Sequence, residues 1–562
     1  MNQRRWILSS PPPPACLRAL GGIPYATAQL AYNRGITDLK QLRSFLSPDS
    51  SSLSDPSLLP DIEPAITRLA RAIEDRELIA IYGDFDADGV TATALLHQGI
   101  SALGGRTTPY IPHRTKEGHG LSIQGLMGLR DMGAGLILTA DCGISSFEEV
   151  VAARDIGIDV IVTDHHSPPP RIPPALAVID PKRTDSEYPY QHLAAVGVCY
   201  RLMQVLRDSL GHPEDESPLD LVALGSVADL APLDGENRYL VKRGLQILNE
   251  TEKPGLRELI ALSGLTPGTL DTESISFVLG PRINAAGRVD HAMTSYRLLT
   301  ATTSAEARPL ARELEARNRE RREQTEQVME RVREQVTTSQ ADRSIFITGD
   351  RHFQAGVVGL AAGKLVEEFY RPAIVMAIGP EVSRASARSI PEFDIIAALR
   401  QCSDLFLRYG GHTQAAGFVI PNENLDSMEE RLTSIAEEQL QGVDLHPSIQ
   451  IDVQIALKEI QGRLIKFVSL LEPVGFGNPH PTFLSRQVKV VDVRPLGTDG
   501  RHLRAKFRDG PSVWSAIGFG LGSRAGDLTS YVDIVYHLKT DRWQGRERLQ
   551  LELIDFAPSS PA

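Results

Sequence analysis

Short apolar runs that alternate with longer amphipathic stretches mark the chain from residue 76 to about residue 300. Three of these runs are dominated by aliphatic residues, and they lie at 78–82, 136–140 and 160–163. Runs of this length between helical stretches predict buried strands of a parallel sheet. A fourth run, at 221–228, fits either a helix or a strand, because periodicity alone does not distinguish the two in so short a segment.

A long polar stretch follows, from residue 304 to about residue 336. Its large aliphatic residues fall on one helical stripe: Leu310, Leu314, Val328, Val332 and Val336. Seven arginines and seven glutamates between residues 311 and 335 suit a solvated helix with charge pairs one turn apart. We interpret 304–340 as a helix that connects two lobes, although a surface helix of one domain fits the same pattern.

The remaining segments add three further units. Residues 344–440 alternate strands and helices again, and short strand-like runs from about residue 448 predict a small barrel or sandwich. We therefore predict an α/β protein with five parts: an N-terminal helical segment (1–75), a parallel-sheet lobe (76–303), the connecting helix (304–340), a second α/β lobe (341–445) and a C-terminal β-barrel (446–562).

The composition is ordinary for a globular protein, with 42% hydrophobic and 23% charged residues. The formal charge of −12 argues against indiscriminate binding of polyanions but allows a local basic groove. No apolar run approaches a membrane span, and Ser9, Ser10 and Pro11 cut short the first apolar segment. The four cysteines fit neither a zinc pattern nor a disulfide framework, so we expect a reducing, cytoplasmic location.

Acidic residues and histidines directly follow the four apolar runs. They are Asp84, Asp86, Asp88, Asp141, Asp164, His165, His166 and Asp229. Because residues just past the carboxyl ends of parallel strands converge on one crevice, we expect these side chains to meet. Unpaired buried carboxylates repel one another, and a divalent cation removes that cost. The sequence therefore predicts a metal site.

Two divalent cations roughly 3.5–4 Å apart can promote in-line displacement at phosphorus. One carboxylate then bridges both ions, and Asp141, alone on its strand end, is the candidate. Histidine beside carboxylates suits Mn²⁺, and also Mg²⁺ or Zn²⁺. A calcium loop of the D-x-D-x-D-G type fits less well, because Leu95 occupies the twelfth position, where such a loop needs glutamate.

Several segments along the chain point to one family. They are 82–91, 110–114, 117–121, 164–166, 225–229, 280–288, 410–417 and 476–481. Together they resemble the DHH phosphoesterase superfamily, and within it most closely the RecJ family of bacterial single-strand-specific DNA exonucleases. Residues 410–417 resemble the signature of the second, DHHA1 lobe, and 476–481 resemble the segment entering an oligonucleotide-binding (OB) barrel. The resemblance extends from near residue 30 to the C-terminus.

The resemblance implies roles for the acidic cluster. Two sets of side chains would hold two metal ions: Asp84 and Asp86 the first, and Asp88, His165 and Asp229 the second. Asp141 would bridge them, and His166 would face the scissile phosphate. Asp164 would orient an imidazole, although capping the following turn is an equal alternative.

The resemblance also implies a substrate-binding set: Arg114, Arg282, Arg288, Ser386, Arg388 and His412. Guanidinium groups pair bidentately with phosphate oxygens, and a pocket for a terminal 5′ phosphate would explain a directional exonuclease. The family usually carries glycine around Ser386, where this chain has Ala385 and Ala387. In the C-terminal region, four aromatic residues are candidates for base stacking: Trp514, Phe519, Tyr531 and Trp543.

These observations predict a 5′→3′ exonuclease that hydrolyses single-stranded DNA to nucleoside 5′-monophosphates in DNA repair and recombination. We expect two Mn²⁺ ions, with Mg²⁺ as an alternative, and a monomer without membrane association. Single-stranded DNA is the expected partner, and the resemblance adds a single-strand-binding protein.

Two rival functions stay open. One is a DHH phosphoesterase of short oligonucleotides or cyclic dinucleotides, and the other is a replication scaffold that has lost its ligands. The additional N-terminal and β regions argue against the first rival. The presence of every candidate ligand argues against the second.

Overall fold

The computed structural model describes residues 4–559, apart from residues 115, 341, 498–499 and 544–545. The chain begins with β1 (Arg5–Leu8), α1 (Pro14–Ala19), α2 (Tyr25–Tyr32) and α3 (Leu39–Leu46). None of the described helices combines the length and the apolar character that crossing a membrane requires.

The first lobe is built on a five-stranded sheet. Its helices and strands, in chain order, are α4 (Ile62–Glu74), β2 (Leu78–Gly83), α5 (Ala87–Ala102), β3 (Arg106–Tyr110), α6 (Ile123–Asp131), β4 (Ala134–Ala140), α7 (Phe147–Asp155), β5 (Asp159–Thr163), β6 (Ala177–Ile179), α8 (Ala195–Ser209), α9 (Leu219–Ala228), α10 (Gly235–Asn249), α11 (Pro254–Leu262), α12 (Gly280–Val289) and α13 (Met293–Thr300). The strands lie in the order β3-β2-β4-β5-β6, and every neighbouring pair is parallel. The predicted parallel sheet is therefore confirmed.

The undecided run at 221–228 lies within α9 and is helical. Nearly every residue of α9 is buried, so apolar residues occur on all sides of the helix. The sequence therefore lacks the amphipathic periodicity that identifies a surface helix. A π-helical turn (Ser274–Leu279) leads directly into α12.

The long polar stretch forms α14 (Ser304–Ser339), a helix of 36 residues. Leu310 and Leu314, near its start, pack in the core of the first lobe. Val328 and Val332, farther along, pack in a core with strands of the second lobe. The apolar stripe therefore serves two cores in succession.

The second lobe carries a mixed five-stranded sheet. Its elements are β7 (Phe346–Asp350), α15 (Val358–Phe369), β8 (Ala373–Ala377), β9 (Val382–Arg388), α16 (Ile395–Gln401), β10 (Arg408–His412), β11 (Ala415–Pro421) and α17 (Leu425–Leu440). The strand order is β10-β11-β9-β8-β7, with β7 and β8 parallel and the other pairs antiparallel.

The C-terminal region is a closed barrel. Its elements are β12 (Ser448–Ile451), β13 (Val453–Gln454), α18 (Gly462–Leu470), β14 (Phe483–Leu496), β15 (His502–Asp509), β16 (Ser512–Gly518), β17 (Tyr531–Trp543) and β18 (Arg546–Pro558). The pairing β14-β15-β16-β18-β17 closes because β17 also pairs with β14. The predicted fold class, an α/β protein with two lobes and a terminal β-barrel, is confirmed.

The first 75 residues, expected to form one helical segment, divide between two cores. Helices α1 to α3 share the core of the barrel, and β1 pairs in parallel with β12. Helix α4 packs instead in the core of the first lobe. Arg5 of β1 lies opposite Ser448 of β12, so this arrangement depends on contacts between segments that are far apart in the sequence.

Arg238 of α10 joins the first lobe to both of these outer parts. Only 1% of its surface is exposed. Its Nε donates to the carbonyl of Phe45, at the end of α3, and its two terminal nitrogens donate to the carbonyls of residues 470–473. The guanidinium also lies 4.0 Å from the centre of the Phe45 ring. The carbonyls that follow α18 carry the negative end of its dipole, which favours a cation here.

We expect Arg238→Met to destabilise the protein by about 3–5 kcal/mol, because it removes buried charge-assisted hydrogen bonds and leaves carbonyls without donors. Calorimetric unfolding should show the barrel and helices α1 to α3 melting before the first lobe. Arg243→Met, an exposed position on the same helix that pairs with Glu216, is the matched control. A single unfolding transition at the wild-type temperature would contradict this role of Arg238.

Candidate metal centre and active site

The backbone itself places three aspartates in a row. Asp84, Asp141 and Asp164 each directly follow a strand of the parallel sheet. Each donates its N–H to the last carbonyl of the neighbouring strand: Asp84 to Ala140, Asp141 to Thr163, and Asp164 to Ile179, at 3.1–3.2 Å. The hydrogen-bond ladder thus extends one residue past the strands and aligns three carboxylates along the sheet edge.

The predicted metal ligands converge at this edge. Their ligand atoms form three overlapping groups, each within 4.8 Å: Asp84, Asp86 and Asp141; Asp141, His165 and His166; and Asp88, His165 and Asp229. His165 Nε2 and Asp141 Oδ1 lie 3.1 Å apart. Asp141 belongs to two of the groups, and His165 links them to Asp229. The cluster therefore forms one continuous site.

Asp141 occupies the centre of the cluster. Its backbone adopts a left-handed conformation, with φ of 68°, which costs about 1 kcal/mol or more in a non-glycine residue. Its Oδ1 is buried without a hydrogen-bond partner, as is Oδ1 of Asp84. Burial, followed by the charges of Asp86 and Asp88, raises the pKa of Asp141 well above its usual range. A bound cation would stabilise the ionised form of these carboxylates.

Asp86 and Asp88 lie where the first strand passes into α5. Asp86 Oδ1 accepts the N–H groups of Asp88 and Gly89, and so caps the helix. Glycine is required next, because a Cβ at Gly89 would lie 2.7 Å from the backbone oxygen of Asp84. Both oxygens of Asp88 accept N–H groups at the start of α8, from Ala195 and Val196. Asp88 therefore fixes α8 as well as facing the cluster.

Asp164 orients one histidine and caps the turn, so both alternatives left open by the sequence occur together. Its Oδ1 accepts the N–H groups of His165 and His166 and contacts His166 Nδ1 at 2.7 Å. Burial opposes ionisation of Asp164, but the bond with His166 prevails and lowers the pKa of Asp164 to about 2. Burial also opposes the charge on His166, yet Asp164 raises the pKa of His166 to about 9. Burial, followed by the charge of His166, lowers the pKa of His165 to about 4. His165 is therefore neutral, as a metal ligand must be.

The donor set fits divalent cations. Carboxylate oxygens with one imidazole nitrogen suit Mn²⁺ and Mg²⁺ rather than metals that prefer sulfur. Burial and the charge of Asp86 raise the pKa of Asp229 to about 7, so this carboxyl too gains from a nearby cation. A cation would also satisfy the buried oxygens of Asp84 and Asp141 that lack partners.

Sequence reasoning missed three residues at this site. Asp180 directly follows β6, so it repeats the same signal of an apolar run ending in aspartate. Burial raises its pKa to about 7. His119 Nδ1 lies 3.3 Å from Asp84 Oδ2, and Asn284 Oδ1 accepts the N–H of Ala87. His119 and Asn284 fall in segments that carried the family resemblance, but no spacing rule singled them out.

Three of the predicted substrate arginines lie near the cluster without ion pairs to the described carboxylates. Arg114 covers the ring of Phe85 at 4.8 Å. Burial, followed by the charge of Arg114, lowers the pKa of Arg288 to about 10 and lowers that of Arg388. The side chains of Arg388 and Ser386 lie close to Gly359, at the start of α15. A Cβ added to Gly359 would be 3.3 Å from each of them. Crowded cations and a helix N-terminus together favour an anionic ligand.

Two other predicted substrate residues are placed differently. Arg282 pairs with Glu315 of α14 at 2.6 Å and also donates to the carbonyl of Val278. A contact between Arg282 and substrate would require breaking this ion pair. His412 is exposed at the end of β10.

The alanines that replace the usual glycines cause no strain. Ala385 and Ala387 lie on β9, which pairs with β8 and β11 on either side. Their side chains pack in the core of the second lobe. An interior strand requires no positive φ at these positions, so alanine is compatible with the segment that presents Ser386 and Arg388.

The candidate stacking residues of the barrel have different environments. Phe519 and Tyr531 are exposed by 62% and 52%. Trp514 packs partly against the barrel core. The side chain of Trp543 lies outside the described part of the structure.

A parallel-sheet lobe with this carboxylate and histidine cluster, joined to a second lobe and a closed barrel, defines the chain as a DHH-type phosphoesterase. Family models agree with this class. The N-terminal domain of the DHH family matches residues 78–226, the DHHA1 domain matches 342–438, and the RecJ OB domain matches 451–555.

Similarity to individual proteins identifies the family within this class. The single-stranded-DNA-specific exonuclease RecJ of Bacillus subtilis is 36% identical over 536 residues, covering 95% of this chain and 68% of the relative. RecJ of Dickeya dadantii is 33% identical and covers 94% and 95% of the two chains. The crystal structure of RecJ from Thermus thermophilus in complex with Mn²⁺ has a TM-score of 0.86 at 30% identity, covering 99% of this chain and 80% of that one. The Mg²⁺ complex has a TM-score of 0.80 at 29% identity, with 99% and 79% covered. The chain therefore belongs to the RecJ family of single-stranded-DNA-specific exonucleases.

We expect Asp141→Asn to stabilise the metal-free protein at about pH 8, because burial and the neighbouring carboxylates oppose ionisation of Asp141. A carboxyl whose pKa is raised by folding stabilises the fold at low pH. It loses that contribution as pH rises through the folded pKa, which for Asp141 is raised well above its usual range. The advantage of the variant should therefore shrink towards about pH 4, as measured by thermal unfolding with a chelator.

Added Mn²⁺ provides the complementary measurement. It should raise the unfolding temperature of the wild type and have much less effect on Asp141→Asn. Asp131→Asn, at an exposed position in the same lobe, should behave as the wild type throughout. An Asp141→Asn protein less stable than the wild type at about pH 8 without metal would contradict the electrostatic account.

Proposed function

We propose that the chain is a 5′→3′ exonuclease that hydrolyses single-stranded DNA to nucleoside 5′-monophosphates with two divalent metal ions. The observation that carries the proposal is the continuous cluster of carboxylates and imidazoles in which Asp141 is shared. The curated relatives are named as single-stranded-DNA-specific exonucleases, which supports the substrate class.

The overlap of the ligand groups supports two ions. Asp84 and Asp86 would hold the first ion, and Asp141 would be shared with the second. Asp88, His165 and Asp229 would hold the second, and Asp88 also anchors α8 by its two backbone hydrogen bonds. Bound cations supply the charge that activates a water and stabilises the developing negative charge on phosphate. Mn²⁺ is the proposed metal and Mg²⁺ the alternative.

His166 is the group best placed to meet the scissile phosphate. Its side chain is 52% exposed, whereas that of His165 is 11% exposed. Asp164 holds Nδ1 of His166 and favours its protonated form. A cationic imidazole at the open side of the cluster donates to a phosphate oxygen and adds to the charge stabilisation there.

Directionality follows from an anion site beside the cluster. Arg114, Arg288 and Arg388 with Ser386 form a cradle for a terminal 5′ phosphate, which carries more charge than an internal phosphodiester. A strand held by this end presents its first phosphodiester to the metal cluster. The residue Arg282 is left out of the cradle because it is paired with Glu315.

The size of the cleft between the lobes favours a single strand as the substrate. A cleft of about 660 Å³ is lined by Arg114 and His119 from the first lobe and by Ser386, Gly410 and Phe418 from the second. A cavity of this size belongs to the range that encloses small ligands, and a duplex is far larger. His412 lies two residues beyond Gly410, and we retain it as a candidate phosphate contact.

The same reasoning favours the exonuclease over the two rival functions. A phosphodiesterase of dinucleotides needs only the two lobes, whereas this chain adds a barrel and an N-terminal segment that pack together. A scaffold without activity needs no buried cluster of unpaired carboxylates. We further propose action in DNA repair and recombination, in the cytoplasm, as a monomer that meets a single-strand-binding protein on its substrate.

We expect Asp141→Ala to lower the rate of hydrolysis by about 10³-fold or more, because it removes the shared ligand. The assay uses single strands labelled at either end, a duplex and a dinucleotide, with Mn²⁺, with Mg²⁺ and with chelator. The wild type should release the 5′ label at once as a mononucleotide, from single strands only. Asp131→Ala is the matched control.

Each alternative predicts a different result in this assay. Release of the 3′ label first would contradict the direction. Hydrolysis of the dinucleotide but not of the strand would favour the small-substrate enzyme. No hydrolysis with either metal would favour the scaffold.

We expect Arg388→Ala to lower the preference for 5′-phosphorylated over 5′-hydroxyl strands by about 10-fold or more, the size of one lost charge-assisted contact. The measurement compares kcat/KM for the two strands. Arg431→Ala, an exposed arginine of the same lobe paired with Asp404, should retain the wild-type preference. An equal loss of kcat/KM on both strands would contradict a role of Arg388 in binding the 5′ phosphate.

A further inference from the structure

The sheet of the second lobe presents its side chains to the cleft in three rows. Three adjacent strands, β9, β11 and β10, supply one residue each to every row. The first row is Arg388, Ala415 and His412, the second is Ser386, Gly417 and Gly410, and the third is Arg384, Val419 and Arg408. Residues between them, such as Phe418, pack in the core of this lobe, so the rows share the opposite face.

The two outer rows of this face carry arginines. Arg388 of the first row belongs to the proposed cradle for the 5′ phosphate. Arg384 and Arg408 of the third row are both exposed, and the function proposed above does not use them. Four residues along each strand separate the first row from the third, which is about 13 Å.

The cavity between the lobes continues from the cradle to the third row. Ser386 and both third-row arginines line the same cleft of about 660 Å³. Gly410 of the middle row lines it too, and a Cβ there would meet no atom within 4 Å. A phosphate bound at Ser386 would therefore have open space on the side that leads to Arg384 and Arg408.

The cleft has an excess of positive charge, although the chain as a whole has a formal charge of −12. Four of its described lining residues are basic: Arg114, Lys116, Arg384 and Arg408. Glu117 is the carboxylate among them, and it accepts hydrogen bonds from Tyr110, Ser122 and the N–H of His113. A cleft with this balance attracts an anion that carries several charges.

Arg408 extends across the cleft. Its Nη1 lies close to the first lobe, because a Cβ added to Gly118 would be 3.6 Å from this nitrogen. The guanidinium therefore spans the cavity between the lobes and can contact an anion inside it. Guanidinium groups of this kind form charge-assisted hydrogen bonds with phosphate oxygens.

We propose that Arg384 and Arg408 form a second anion site, which binds the outer phosphates of a strand that carries a 5′-di- or triphosphate. The inference rests on the proposed exonuclease function and extends its substrate class. The first phosphate occupies the cradle, and the outer phosphates extend along the glycines of the middle row. The chain of phosphates and the long arginine side chains together bridge the about 13 Å between the rows.

Hydrolysis of such a strand would release the first nucleotide with its 5′ phosphates intact. Water adds to the phosphorus of the first phosphodiester, the bond between this phosphorus and O3′ breaks, and a proton passes to O3′. The products are a nucleoside 5′-triphosphate and a strand that is one nucleotide shorter and ends in a 5′ monophosphate. The second anion site therefore acts only in the first turnover.

The test compares oligothymidine strands that differ only in a 5′ hydroxyl, monophosphate or triphosphate. Binding is measured by fluorescence anisotropy with chelator, which prevents hydrolysis. The wild type should bind the triphosphate strand about 10-fold more tightly than the monophosphate strand, the size of one charge-assisted contact. Arg384→Gln and Arg408→Gln should each remove most of this preference, but keep the preference for monophosphate over hydroxyl.

A control variant and a product analysis complete the test. Arg431→Gln, at an exposed arginine of the same lobe paired with Asp404, should keep both preferences. With Mn²⁺, the wild type should release nucleoside triphosphate first and monophosphates afterwards. Arg408→Gln should slow only the first release.

Equal wild-type affinity for the two phosphorylated strands would overturn the inference. Equal losses on all three strands would also overturn it, because they would assign the arginines to the strand rather than to its end. Release of dinucleotides from monophosphorylated strands would overturn it in favour of an internal phosphate at the third row. Absence of a preference for monophosphate over hydroxyl would instead contradict the cradle, and absence of hydrolysis the exonuclease proposal.

Discussion

Repulsion among carboxylates at one edge of the parallel sheet is the constraint around which this chain is organised. The ladder hydrogen bonds that end the strands fix Asp84, Asp141 and Asp164 in a row, so the fold cannot relax by moving them apart. The charge of Asp164 is balanced by the His166 imidazole, with which it forms a hydrogen bond. Asp84 and Asp141 each keep one buried oxygen without a hydrogen-bond partner. Such groups are satisfied by protonation or by bound cations, so strand pairing itself favours a metal site here.

A second, opposite imbalance lies beside the first. Arg114, Arg288 and Arg388 are crowded at the junction of the two lobes without carboxylate partners among the described residues. One lobe alone cannot build this site, because Arg388 comes from β9 and Arg288 from α12. Helix α14, with one half in each core, fixes the distance between them. Metal ions and a phosphate would neutralise these two adjacent sites of opposite sign.

The sequence predicted the features that depend on local pattern. Apolar runs gave the parallel strands, and the residues that follow them gave all the members of the metal cluster. Features that depend on residues distant in the sequence were not predicted. They are the pairing of Arg5 with Ser448, the ion pair of Arg282 with Glu315, and the burial of Arg238. Asp180 is a different case, because its strand-end signal was present in the sequence and was overlooked. The helix α9 was undecided because burial on all sides erases the period that identifies a helix.

The overall charge explains why a polymer-binding enzyme of this kind needs more than phosphate contacts. A formal charge of −12 argues against indiscriminate binding of a long polyanion, and salt screens long-range attraction further. Base stacking on exposed rings, for which Phe519 and Tyr531 of the barrel are candidates, is insensitive to charge and to sequence. In the proposed function, the arginines hold only the end that is about to be cleaved.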